Sequence, residues 1–167
     1  MVSNYLKDIQ GSMADGLGYP AAYSAQILNQ ALFFHHFPRA RAESLRRTRY
    51  LLRRIRAEQR GRELLFSPIP SYVLVGDVSA DSAFGGVMQR MPFSVTELRS
   101  MELALVREAE QMAREEGWLI ADNVETMQRG HAPAELFNRF DYHVNGTASA
   151  IIGRLEAEAL RSVVSKR

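Results

Sequence analysis

The chain has 167 residues, no cysteine, 46% hydrophobic and 24% charged residues, and a formal net charge of +2. That length and balance fit a single soluble globular domain spanning residues 1–167. The missing cysteines exclude disulfides, thiolate metal sites and a cysteine nucleophile, and no apolar run approaches the roughly 18 residues that span a bilayer.

The start, Met1-Val2-Ser3-Asn4-Tyr5-Leu6-Lys7, lacks the basic-then-apolar pattern of a secretory leader. With the absence of cysteine this favours a cytoplasmic location; a periplasmic one stays open if the chain is a piece of a longer protein. His35-His36 sits among Phe33, Phe34 and Phe37, with no carboxylate or third histidine at helical or hairpin spacing. A packed or surface role is therefore favoured over metal binding. Residues from Glu43 to about Gln59 read as a helix with Leu45, Thr48, Leu51, Leu52 and Ile55 on one stripe, stopped at Gly61. Ten arginines lie between Arg39 and Arg62. Tyr50 is the only aromatic among them, which argues against a single-strand nucleic-acid surface.

Leu64-Leu65-Phe66 begins a buried strand broken by Ser67-Pro68-Ile69-Pro70, and Tyr72-Val73-Leu74-Val75 reads as a second apolar run. Asp77 to Pro92 is a Gly-, Ser- and Asp-rich loop, a flap over a pocket rather than a phosphate loop, since no Gly-x-x-x-x-Gly-Lys pattern is present. Ser94 and Glu97 form a capping box that opens a helix with Leu98, Met101, Leu105, Ala109 and Met112 inside, closed at Gly117. Trp118 to Ala121 is a short strand with Trp118 in the core, ending at Asp122-Asn123. A last helix runs from about Thr147 to Val164 and buries Ile151, Ile152, Leu155, Ala159 and Leu160. Helices alternating with strands predict a three-layer α/β sandwich with a parallel, flavodoxin-like sheet, its site beyond the carboxyl ends of the strands.

The segment that reads as chemistry is Phe140-Asp141-Tyr142-His143-Val144-Asn145-Gly146, leading directly into the last helix. A carboxylate two residues from an imidazole is the acid–base half of a nucleophilic triad. Asn145 is placed to cap the helix that follows.

This block, with its Asp-x-His-x-Asn spacing and closing helix, resembles the last sequence block of the SGNH/GDSL hydrolase superfamily. The likeness extends from Ile27 to Leu160 in element order, but its specific part is this block. The commonest family spacing is Asp-x-x-His, and the tighter form here occurs in relatives that handle acyl groups on polysaccharides. The resemblance implies a serine-type ester hydrolase or acyl (acetyl) transferase acting on a small-molecule or carbohydrate ester, without metal or organic cofactor. It makes His143 the general base and acid, and Asp141 the group that orients it.

The nucleophile block, Gly-Asp-Ser, is absent; the nearest segment is Gln10-Gly11-Ser12-Met13-Ala14-Asp15-Gly16. Read as a first block, it makes Ser12 the nucleophile. Read as a second block, it makes the Gly11 N–H an oxyanion donor, with the Asn29 amide as its third-block partner. Too few residues separate Ser12 from Asn29 for both to hold, and Ser79 and Ser82 are further serine candidates. The second-block reading of Gly11 is favoured, which leaves the usual nucleophile segment missing and the first strand of the sheet with it. Three readings stay open: a piece of a longer hydrolase, an abbreviated enzyme using Ser12, and a non-catalytic interaction module on the same fold.

Overall fold

The computed structural model describes residues 30, 31, 33–76, 88, 91–138 and 143–164. Helix α1 spans Pro38–Glu58, and its Pro sits in the first turn, where the ring's fixed φ suits a helix and the absent N–H is not missed. Past its end, Gly61 holds φ at +79°, a left-handed conformation that a side chain would resist. Strand β1, Leu65–Phe66, follows, and then a helical turn α2, Tyr72–Val75.

Helix α3, Val95–Glu115, opens on the capping box: the Ser94 hydroxyl accepts from the Glu97 N–H, while Glu97 Oε2 accepts from the Ser94 N–H at 2.6 Å. It closes with Gly117 at φ +76°, where the Gly117 N–H bonds to Arg114 O and the Trp118 N–H to Ala113 O, both at 2.9 Å. That pair of bonds is a Schellman ending, and it turns the chain into strand β2, Leu119–Ile120. Helices α4, Asn123–Gln128, α5, Pro133–Leu136, and α6, Gly146–Val164, complete the described elements.

The expected three-layer sandwich is not what forms. The molecule is predominantly helical, and among the described residues the sheet is one parallel pair, two residues per strand, with Leu65 opposite Leu119 and Phe66 opposite Ile120. The causes are local. Pro68 and Pro70 cannot donate to a ladder, so β1 stops at Phe66. Asp122 caps α4, accepting from the Glu125 N–H at 3.2 Å, so β2 stops as quickly. The second apolar run, Tyr72–Val75, is a helical turn capped by Ser71, with Val73, Leu74 and Val75 all buried. A short run buried all round carries no period that separates strand from helix.

What remains of the parallel plan is β1, a crossover through α3, and β2. Helix α1 lies along α3 in the same direction, because Arg41, Arg49 and Arg53 pair in order with Glu108, Glu115 and Glu116 at 2.6–2.7 Å. Three arginines of the basic stretch thus face glutamates on the flank of a packed helix. Such exposed pairs each contribute about 0–1 kcal/mol, so they set register more than stability.

Between these helices Leu52, Met112 and Ala113 are buried, and the half-buried Phe66, Ile120 and Trp118 pack against them, so Trp118 lines the edge of the core and is not wholly inside it. Its buried Nε1 has no hydrogen-bond partner. The expected α1 stripe is divided: Leu52 goes inside, while Leu51 is 55% and Ile55 41% exposed. On the other side of the molecule α6 packs on both strands and on α4 and α5. Ala148, Ile151 and Ile152 meet Met127, Leu136 and Phe137 there. Leu160, expected inside, is largely exposed. Among the described residues no helix is long and apolar enough to cross a membrane.

Leu98 is wholly buried in the first turn of α3, against Val73, Phe93 and Ala31. Leu98→Ala should lower the unfolding free energy by about 2–5 kcal/mol, whereas Leu51→Ala should change it by less than about 0.5 kcal/mol. Urea denaturation of the two variants checks the contrast.

Candidate functional site

The His143 segment is held by the backbone. Phe137 and Val144 form an isolated antiparallel bridge, and the Asn138 N–H donates to the His143 carbonyl at 2.9 Å. Phe137 and Leu136 are fixed in turn by burial against α6. This ties both ends of the connection from 138 to 143 and leaves the His143 residue exposed.

Asn145 completes the anchor. Its Oδ1 accepts from the Thr147 and Ala148 N–H groups at 2.9 and 3.1 Å, capping α6 as the sequence predicts. Its Nδ2 donates to the Glu135 carbonyl and its own N–H to the Leu136 carbonyl, both at 2.9 Å. One residue beside the bridge therefore joins α5 to α6. The other residues expected at the site, Asp141, Ser12, Gly11, Asn29, Ser79 and Ser82, lie outside the described residues. The structure thus sets the His143 backbone and its supports in place.

Two further polar groups sit where the sequence reading placed only core or strand ends. Beyond the strands, the buried Asn123 donates from Nδ2 to Ser67 Oγ at 2.8 Å and to the Pro68 carbonyl at 2.9 Å. That ties the loop after β1 to the loop after β2. Beside it Asp122 pairs with Arg107 at 3.0 Å, and Arg107 also meets the wholly buried Glu110 at 2.8 Å. Burial opposes ionisation of Asp122, but the Glu125 N–H and the Arg107 guanidinium outweigh it and hold the carboxyl below its ordinary value.

The second group is Glu102, whose Oε2 accepts from the Ser71 hydroxyl at 2.5 Å. Burial pushes its carboxyl above the ordinary 4.5, and the Ser71 bond offsets part of that shift. A sign of it was present in the sequence. Glu102 falls four residues after Leu98 and three before Leu105, inside the apolar stripe of α3. Asn123 carried no comparable sign, because its burial follows from where two separate loops meet.

His35 packs edge-on against His36 and Phe93, at centroid distances of 5.2 and 5.8 Å. Among the described residues no group of three or more His, Asp or Glu side chains is arranged to hold a metal ion. No protein-family model matches the chain, and neither a curated protein nor a solved structure is significantly similar to it.

Asn145→Ala should lower stability by about 1–2 kcal/mol, while Asn145→Asp, which keeps the cap oxygen, should lose less; urea denaturation distinguishes them. Glu102 adds a dependence on pH. The folded chain holds its proton more tightly than the unfolded one, so this contribution is complete below about pH 4.5 and is lost as pH rises through the higher folded-state value. Glu102→Gln, neutral throughout, should lose less stability than the wild type between about pH 4 and about pH 8 in paired urea titrations.

Proposed function

We propose that the chain is of the SGNH/GDSL kind and serves ester hydrolysis or acyl transfer, with His143 as its acid–base group. The observation that carries this is the holding of an exposed His143 at the mouth of α6 by three backbone and cap contacts that leave its residue facing solvent. Support elements that immobilise the backbone of one exposed residue suit a group that must meet a substrate in fixed geometry. The reading rests on this local block and its sequence, Asp141-Tyr142-His143-Val144-Asn145, and not on a multi-stranded sheet.

In this mechanism the His143 imidazole takes the proton of a serine hydroxyl as that oxygen attacks the ester carbonyl. It then returns the proton to the departing alcohol. Asp141, two residues earlier, orients the ring and stabilises its protonated form. Ser12 is the first serine candidate, with Ser79 and Ser82 as others; under the favoured alternative reading of the Ser12 segment, the Gly11 N–H and the Asn29 amide are donors to the oxyanion and the nucleophile is not Ser12. The Asp-x-His spacing directs the substrate choice to carbohydrate acyl esters. No metal or organic cofactor is needed for these steps.

The test is turnover of 4-nitrophenyl acetate. His143→Ala should lower kcat/KM by at least about a hundredfold, as loss of a general base does, with the urea midpoint little changed because the residue is exposed. Asn145→Asp should retain most of the activity. Turnover by His143→Ala equal to that of the wild type would remove this residue from the chemistry. Turnover absent from the wild type would favour the non-catalytic reading.

A further inference from the structure

A cavity of about 600 Å³ opens beside the middle of α3, away from the backbone contacts that hold His143. Its apolar walls include Phe34, Ile69, Leu74, Met101 and Leu105; Ser71 and Glu102 are a hydrogen-bonded polar pair among them, and Gln30, His35 and Ser100 also line it. The volume falls in the range of small-molecule sites, and the composition is that of one: mostly apolar, with few polar groups to set orientation.

The polar pair is asymmetric. The Ser71 hydroxyl is used twice within the fold, donating to Glu102 Oε2 at 2.5 Å and accepting from the Leu74 N–H at 3.3 Å as the cap of α2. Among the described hydrogen bonds Glu102 uses only Oε2. At the rim Arg41 is already paired with Glu108 at 2.7 Å, so it is not an open anion receptor. A carboxyl among apolar walls, with no cation bonded to it, is held more easily as the neutral acid than as the anion. Such an acid has one O–H to donate.

We propose that this cavity binds an uncharged, largely apolar carbonyl compound. The carbonyl oxygen accepts a hydrogen bond from the Glu102 carboxyl, and the apolar body packs on Phe34, Leu74, Met101 and Leu105. The site is independent of the His143 reading and stands or falls without it. No bond is made or broken in the ligand, because nothing beside Glu102 in the cavity wall is arranged as an activated nucleophile.

Three probes of closely similar shape separate the alternatives: 4-phenylbutan-2-one, butylbenzene and 4-phenylbutan-2-ylammonium, each titrated into the full chain by calorimetry at about pH 4.5, the ordinary value above which burial holds the Glu102 carboxyl. The ketone should bind on the order of tenfold more tightly than butylbenzene, the worth of one buried hydrogen bond. The ammonium should bind most weakly. Glu102→Leu should erase the difference between ketone and hydrocarbon, and Glu102→Gln, which keeps an N–H donor, should preserve it. Leu105→Trp, filling the cavity, should abolish binding of both with an unchanged circular-dichroism spectrum. If Glu102→Leu does not fold, the Gln and Trp variants still decide the matter. Equal binding of ketone and hydrocarbon, tightest binding of the ammonium, or no binding of any probe by the wild type would each overturn the proposal.

Discussion

Helix α3 is the element on which the rest of the structure depends. Its capping box and Schellman ending fix both termini, and between them successive turns meet different partners. Leu98 meets the Val73 and Phe93 cluster, Glu102 meets Ser71, and Met112 meets Leu52 of α1. Arg107 reaches Asp122 at the start of α4. A helix that packs on α1, α2 and β2 and reaches α4 through Arg107 can replace a wide sheet as the organiser of that side of the core, since burial of its apolar stripe does not require strand pairing. The two-residue strands are then a clasp between loops, with Asn123 bonding across to Ser67 and Pro68 as a second fastening.

That arrangement explains where the polar residues of interest stand. His143 belongs to a connection whose ends are secured by Phe137 and Val144 and whose exit is capped by Asn145. Tyr72 links this region to α3: it follows Ser71, touches the Leu98 cluster, and sets its ring edge-on to Phe137 at a centroid distance of 5.5 Å. The cavity wall at Ser71 and the anchor of His143 are thus supported by one aromatic contact. Tertiary packing, not sequence proximity, brings residues 72 and 137 together.

The charged surfaces have a similar logic. An arginine-rich helix read alone suggests a polyanion partner. Here Arg41, Arg49 and Arg53 meet Glu108, Glu115 and Glu116, and Glu43 takes Arg46 and Arg47 along the same helix. Part of the arginine-rich stretch is thus paired across two parallel helices and part along α1 itself.

By itself the sequence determined the long helices, their caps and stops, the parallel relation of Leu65–Phe66 to Leu119–Ile120, and the capping role of Asn145. These follow from local rules: apolar period, a Ser-x-x-Glu box, and glycines at φ +79° and +76°. Only the tertiary structure decided that Tyr72–Val75 is a helical turn, that the sheet ends after two residues, and that Leu51, Ile55 and Leu160 face outward. It also decided that Glu102, whose place in the stripe was legible, shares a cavity wall with Ser71. The physical reason is the same in each case. A residue's position along its own element is a property of neighbours three and four places away. Its burial, its hydrogen-bond partner and the protonation of its side chain depend on groups brought from elsewhere in the chain: Ser71 lies 31 residues before Glu102, and Ser67 lies 56 before Asn123.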